Sequence, residues 1–320
     1  MNASPEDIAR AAALLRAGEL VALPTETVYG LGADASNPQA VAKIFAAKGR
    51  PADHPLIVHL ADADSMIHWA REIPKEAIAI ARAFWPGPLT LILKKEADVS
   101  DIVTGGQDTV GLRVPDHPVA LALLRAFSSD GGGIAAPSAN RFGRISPTTA
   151  QHVADDLGDA VGMILDGGAC QVGIESTILD LSRGEPVILR PGMIGADAIA
   201  AVIGRRPRLP QQTDDAPRVS GALAAHYAPR TPMRMSSNIA MAPTDSAVLA
   251  FSLDKPASHK GTWIKASSEA AGYAHDLYAN LRALDACAAS NIVVEEIPAA
   301  SEWDAVRDRL GRAVTGSGSA

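Results

Sequence analysis

Cysteine is almost missing from this 320-residue chain: only Cys170 and Cys287 occur, far apart and outside any Cys-x-x-Cys pattern. With no clustered histidines either, the sequence points away from a disulfide framework or a structural zinc site and toward two inert core thiols. Long apolar runs are missing as well. No stretch reaches the roughly 18 residues that a membrane span requires, and residues 1–7 show neither the basic nor the apolar region of a signal peptide. The expectation is a cytoplasmic protein with no membrane partner. Excess positive charge is also absent. The formal charge of −7 argues against broad, salt-driven binding to a polyanion, because such binding scales with the number of phosphates neutralised. From Arg205 onward lie 13 of the 29 basic and 12 of the 36 acidic residues, so the deficit belongs to the earlier part. Any anion site there must be a local cluster of Lys and Arg.

What is present is ordinary globular material, with 47% hydrophobic and 20% charged residues, in a chain long enough for two domains. Helical spacing of Ile8, Ala12 and Leu15 predicts a first helix over residues 5–17, with Ser4 as N-cap and Gly18 at its stop. Short apolar runs predict strands at 20–23, 56–58, 89–93, 110–114, 133–136, 163–165, 177–181 and 187–189. Strands mixed with helices of about 10 to 15 residues indicate an α/β domain around a largely buried, mixed sheet. Prolines at 207, 210, 217, 229 and 232 break the pattern. The expected organisation is a catalytic domain over 1–204, a Pro-rich linker over 205–237 that folds over the pocket as a lid, and a small α/β domain over 238–320. Its elements are a strand at 247–251, a helix at 268–288, a strand at 291–294 and a helix at 301–313, and residues 315–320 read as a mobile tail.

The chemistry-bearing residues sit at strand ends. Pro24-Thr25-Glu26-Thr27-Val28-Tyr29-Gly30-Leu31-Gly32 follows the first strand, where an α/β sheet opens into its crevice, and its hydroxyls and glycines suit close ligand approach or simple turn formation. No Walker lysine follows. Ala47-Lys48-Gly49-Arg50-Pro51 places two cations around a glycine, able to converge on an anion or to cap a helix C-terminus. His54 and His59 bracket a short apolar run. Arg113, central in the apolar stretch Gly111-Leu112-Arg113-Val114, is costly to bury unless an anion from ligand or protein meets it. Ser138-Ala139-Asn140 ends another strand, and Ser146-Pro147-Thr148 reads as an N-cap opening a helix. Glu175-Ser176-Thr177 and Arg190-Pro191-Gly192 repeat the theme.

In that order these motifs resemble the YrdC-like family over residues from about 5 to 205. With His226-Tyr227-Ala228-Pro229, Leu281-Arg282-Ala283-Leu284-Asp285 and Asp308-Arg309-Leu310 beyond them, the chain is similar to the long, two-domain threonylcarbamoyl-AMP synthases. The resemblance implies a twisted, mixed, open sheet with helices and a small Rossmann-like α/β domain behind it. It implies an adenylyltransferase that joins L-threonine, bicarbonate and ATP, with Mg²⁺ accompanying the nucleotide, into threonylcarbamoyl-AMP and pyrophosphate. The product would pass to the machinery that transfers threonylcarbamoyl to tRNA. Carried over by motif, Thr27, His59, Arg113, Ser138 and Thr177 would hold threonine. Arg50, His54, Thr109, Ala136, Asn140, Ser146, Arg190 and Tyr227 would contact ATP, and Lys48 with Arg50 would be catalytic. No metal ligands belong to the protein in this scheme, and threonine carboxylate is the anion for Arg113. A double-stranded RNA or tRNA binder of the same fold is the alternative, disfavoured by the acidic first part. A hydrogenase-maturation carbamoyltransferase sharing the domain would bring zinc-finger cysteines that this chain lacks.

Overall fold

A computed structural model of the chain describes residues 3–128, 131–209 and 216–318. They fall into two compact units: Met1–Arg141, Pro147–Gln171 and Glu175–Ala222 in the first, and Phe142–Ser146, Val172–Ile174 and Leu223–Ala320 in the second.

The first unit opens with α1 (Pro5–Arg16), whose start is fixed by a reciprocal cap. Ser4 Oγ accepts from the Asp7 backbone N–H while the Asp7 carboxylate accepts from the Ser4 backbone N–H. There follow β1 (Val21–Leu23), β2 (Gly30–Asp34), α2 (Pro38–Lys48), β3 (Ile57–His59), α3 (Lys75–Phe84), β4 (Leu89–Lys94), α4 (Asp101–Thr104) and β5 (Thr109–Arg113). After them come α5 (Pro118–Phe127), β6 (Ile134–Ala135), α6 (Ala150–Leu157), β7 (Met163–Ile164), β8 (Thr177–Asp180), β9 (Val187–Arg190) and α7 (Ala196–Ile203).

The strands make one sheet in the order β7-β1-β2-β6-β3-β5-β4-β8-β9. Pairs β1·β7, β3·β5 and β4·β8 are parallel and the other pairings antiparallel. It is the mixed, helix-covered sheet that the strand pattern predicts. Both faces are apolar, because successive side chains point to opposite sides. Ala22 joins Leu31, Val58, Leu112, Ile44 and Ile80 in one core, whereas Val21 and Leu23 join Ile8, Leu15, Leu123 and Leu124 in another.

Two expectations change in this unit. Gly30-Leu31-Gly32 is not a ligand loop but part of β2, paired with β1 and β6, and its glycines admit close neighbours across the sheet. A Cβ on Gly32 would stand 2.9 Å from both Ile134 Cγ2 and Leu23 Cδ2. The N-cap of α6 is Thr149, whose hydroxyl accepts from His152 N at 3.2 Å, and not Ser146.

The second unit contains β10 (Met233–Ser236), β11 (Ala247–Ala250), β12 (Trp263–Lys265), α8 (Ala270–Ala286), β13 (Ile292–Glu295) and α9 (Asp304–Gly316). Its sheet is parallel throughout, in the order β10-β13-β11-β12, which makes it a small Rossmann-like layer. The stretch read as one linker is divided. Residues 205–209 and 216–222 belong with the first unit, where Arg208 N donates to Pro186 O and Ile188 N to Arg208 O, while β10 already belongs to the second sheet. The tail is shorter than expected as well. Thr315 and Gly316 complete α9, and Ser317 Oγ accepts from Met233 N at 2.9 Å; Ser319 and Ala320 lie outside the described residues.

Gly32→Ala should cost about 1–3 kcal/mol through overpacking between β1 and β6. Urea denaturation of the variant against the parent chain measures it.

Candidate active site

Where β1 stops at Pro24, the next turn is closed by its own hydroxyls. Thr25 Oγ1 lies 2.6 Å from Val28 O, which can only accept, so the Thr25 proton goes there. The 2.8 Å contact between the Thr25 and Thr27 hydroxyls is therefore donated by Thr27, and Thr27 Oγ1 in turn accepts from Arg113 Nη1 at 2.9 Å. The Val28 carbonyl thus sets the proton order of the turn, and the Arg113 guanidinium anchors its far end.

Arg113 ends β5 with only 4% of its surface exposed. Its Nε donates to Gly87 O at 3.3 Å, and its Nη2 stands 2.6 Å from Glu26 Oε1. The other Glu26 oxygen accepts from the Asp116 backbone N–H at 3.0 Å. An anion for the buried arginine is supplied here by the protein, in Glu26. Glu26 went unassigned in the sequence because its partner lies 87 positions further on, and nothing local distinguishes it from an exposed turn acid.

His59 is paired in register with Arg113 across β3 and β5. Burial, and secondarily the neighbouring guanidinium, push its pKa down to about 3, so the ring is neutral at ordinary pH. Its Nδ1 is buried and makes no hydrogen bond with the described residues. A neutral imidazole therefore stands beside Arg113.

The second cluster starts at the C-terminus of α2. Gly49 caps the helix in the left-handed conformation, as its position predicts, with φ 62°. Lys48 nevertheless does not reach solvent: it is 3% exposed, and its ammonium donates to Ser138 O at 2.6 Å and Asn140 O at 2.5 Å. Burial, then Arg50, holds its pKa well below the usual lysine value. Arg50 donates through Nη2 to Pro55 O at 2.9 Å, and His54, half-buried nearby, is likewise held low by burial and by Arg50. Asn140 is buried and anchors through Nδ2 to Arg141 O, and Ala136 N donates to Ile57 O. Lys48, Arg50, His54, Ser138 and Asn140 are thus brought together. The geometry makes Lys48 a positioning residue for the Ser138-Ala139-Asn140 turn.

A third cluster lies at the other side of the sheet. Arg190 donates through Nε to Ser176 O, through Nη2 to Ser176 Oγ and through Nη1 to Ser220 O, at 3.1, 3.1 and 2.8 Å. Thr177 beside it uses its hydroxyl on Ile194, accepting from the N–H and donating to the carbonyl. Thr109 is buried at the start of β5 and lines a crevice with Pro55, Gln107 and Arg218. Gln107 grips Arg218 in both directions, accepting from its N–H at 2.6 Å and donating to its carbonyl at 3.1 Å. Gln107 carried no sequence signal beyond being a polar residue at a strand edge, and Ser176 was read only as part of the Glu175-Ser176-Thr177 motif.

Two residues assigned to ATP, Ser146 and Tyr227, belong to the second unit. The carbonyls of Ile145 and Ser146 accept from Arg282 there. Tyr227 is buried with φ 60°, a left-handed conformation that tyrosine rarely adopts, under Arg309 at 5.3 Å from its ring centre.

Fold and site together define a mixed-sheet α/β protein that gathers Lys, Arg and hydroxyl side chains at its strand ends, a buried Arg-Glu pair among them. The chain belongs to the Sua5/YciO/YrdC family. Residues 13–192 match that family's model, described as "Telomere recombination", and residues 194–315 match one described as "Threonylcarbamoyl-AMP synthase, C-terminal domain". It is 48% identical over 222 residues to a Pyrococcus abyssi threonylcarbamoyl-AMP synthase, an alignment covering 68% of this chain and 64% of that one. It is 35% identical to the Schizosaccharomyces pombe threonylcarbamoyl-AMP synthase over 92% of this chain and 85% of the relative. Among solved structures, P. abyssi Sua5 complexed with L-threonine superposes with a TM-score of 0.88 at 37% identity, over 98% of this chain and 95% of that one.

The depressed His59 pKa carries a sign. Above pH 6.5 the ring is neutral folded or unfolded, whereas between 6.5 and about 3 only the unfolded chain takes up the proton, so stability falls as pH falls. Between pH 7.5 and 5 the loss from this one ring is about 2 kcal/mol. His59→Asn should flatten the pH dependence of the denaturation midpoint by that amount.

Proposed function

We propose that this chain makes L-threonylcarbamoyl-AMP and pyrophosphate from L-threonine, bicarbonate or its CO₂, and ATP, as an adenylyltransferase. The observation that carries it is the pairing of two unlike environments in the first unit. One is a nearly neutral, buried pocket of hydroxyl, imidazole and paired guanidinium around Thr27, His59 and Arg113. The other is the Lys48 and Arg50 cluster at the Ser138-Ala139-Asn140 turn. The first suits a zwitterionic amino acid and the second suits phosphate. The relatives' name supports this division.

No protein nucleophile is required in this scheme. A carbamate oxygen of N-carboxy-threonine attacks the α-phosphorus and pyrophosphate leaves, so the protein contributes position and charge. Arg50 faces the phosphates, and Lys48 holds the main-chain turn against which they would rest. Mg²⁺ would neutralise phosphate charge, and its fit follows from the donor set. Among the described residues no group of three or more His, Cys, Asp or Glu side chains lies together to hold a metal, so Mg²⁺ would come held by the nucleotide. Among those residues, too, no helix is long and apolar enough to cross a membrane. The setting in this reading is cytoplasmic, with the product passed on for transfer to tRNA.

The primary test is pyrophosphate release with ATP and Mg²⁺, adding L-threonine and bicarbonate separately and together. Release that ignores either co-substrate would sink the proposal. Lys48→Met should lower kcat/KM by roughly 10- to 100-fold, the equivalent of losing charge-assisted hydrogen bonds worth about 1.5–3 kcal/mol. Arg113→Met strands the Glu26 carboxylate and should destabilise the fold by about 3–5 kcal/mol, as removal of one member of a buried pair does. The double variant Glu26→Gln with Arg113→Met should recover part of that stability in thermal denaturation without recovering threonine-dependent turnover.

A further inference from the structure

Glu26 stands in the Arg113 pocket, yet none of the motif assignments uses it. It is buried with 3% exposure, and both of its oxygens are engaged, one by Arg113 Nη2 and one by the Asp116 N–H. A carboxylate fixed at both oxygens cannot swing away as a surface acid would. It is therefore a permanent neighbour of whatever approaches Arg113.

The surrounding groups add no compensating charge. His59 is a neutral ring, as argued above. His117, which faces Glu26, is held below its usual range by burial. The Cys170 thiol is pushed up to about 12 by burial foremost, with the Glu26 charge adding to the rise, and so stays protonated. Asp116 contributes its backbone N–H, and its side chain is exposed. Of these groups, Arg113 and Glu26 are the two buried ones that keep a formal charge, and they cancel.

Two consequences follow from Coulomb's law in a poorly screened site. A ligand bearing only a carboxylate meets Arg113 with Glu26 already beside it and is repelled by Glu26 about as strongly as it is attracted. A ligand that brings its own ammonium with the carboxylate is net neutral and can face both charges.

We propose that Glu26 is a specificity-determining residue, the fixed counter-charge by which the Arg113 pocket selects a zwitterionic amino acid over a simple carboxylate anion. The proposal rests on the reading of this pocket as the amino-acid site. Glu26 also acts through Arg113 by holding the guanidinium edge-on to Thr27, so replacing it tests charge and position together. The amide introduced by Glu26→Gln would keep an oxygen able to accept from the Asp116 N–H while losing the charge that pairs with Arg113.

The test uses the full chain and three ligands in isothermal titration calorimetry: L-threonine, 2,3-dihydroxybutyrate, in which a hydroxyl replaces the ammonium, and L-threoninol, which lacks the carboxylate. In the unaltered protein threonine should bind at least about tenfold more tightly than either analogue. Glu26→Gln should weaken threonine and strengthen dihydroxybutyrate, shrinking that ratio by about an order of magnitude, and Glu26→Asp should restore most of the preference. An unaltered chain that binds dihydroxybutyrate as tightly as threonine overturns the proposal. So does a Glu26→Gln variant that weakens both ligands in equal proportion, the mark of a purely structural role. If Glu26→Gln loses its folded circular dichroism, the ligand ratio in the unaltered chain decides alone. A chain that binds none of the three and releases no pyrophosphate in response to threonine overturns the amino-acid reading itself. Threonine-dependent release with unshifted ligand ratios overturns only the role of Glu26.

Discussion

A guanidinium buried at the end of a central strand must be paired, and much of the first unit's site is the pairing. Arg113 reaches Gly87 in the loop before β4, Thr27 in the turn after β1, and Glu26 in the same turn, which is itself tied to Asp116. Segments far apart in sequence are thus referred to one planar fork whose geometry tolerates little drift. Had the same position held lysine, one flexible point charge could not have fixed three acceptors in this way.

The other cations follow a related logic with different acceptors. Lys48 and Arg190 direct their N–H groups largely at backbone carbonyls, those of Ser138, Asn140, Ser176 and Ser220, and Arg50 does so at Pro55. Each such bond neutralises no charge of its own and holds the main chain around the cation in place. That combination is what electrostatic catalysis of phosphoryl chemistry asks for, since donors fixed in advance need no reorganisation as charge develops. The Glu26-Arg113 pair is the exception. Here the charge is cancelled, and the surroundings of Arg113 are left polar but nearly neutral.

How much of this could be read in the sequence depends on whether the deciding contact was local. The strand-ended motifs, the capping of α1 by Ser4 and Asp7 and of α2 by Gly49, and the mixed sheet all rest on residues a few positions apart or on apolar periodicity, and these were legible. Gly30 and Gly32 were not, because a glycine that admits a ligand and one that admits Ile134 or Leu23 look alike until the facing strand is known. Lys48 had two readings, helix capping and anion binding, and what it does is neither alone, because its acceptors lie 90 and 92 residues away. Prolines mark an interruption of the pattern after residue 205, yet they carry no information on which side each piece packs, and Gln107 ties residue 218 to the first unit through a two-way hydrogen bond no local pattern announces.

The absence of a general base among the motifs, which at first looks like a gap, becomes intelligible once the protonation states are assembled. His59 cannot serve as a base for a group of ordinary ammonium basicity, since a ring with a pKa near 3 holds no proton at neutral pH. Glu26 is no better placed, because one oxygen already accepts from the Asp116 N–H and the other is held 2.6 Å from the Arg113 guanidinium. A pocket built this way favours substrates that arrive in the reactive protonation state, or that lose their proton to solvent before the cleft is filled, over substrates that must be deprotonated inside it. Carbamate formation from a free amine and dissolved CO₂ meets that condition, and the remaining step, attack of an already anionic oxygen on phosphorus, needs no proton removed at all. The chemistry best matched to these residues is therefore one whose demand falls on charge neutralisation and alignment, which the Arg113 fork and the Lys48-supported turn are built to supply.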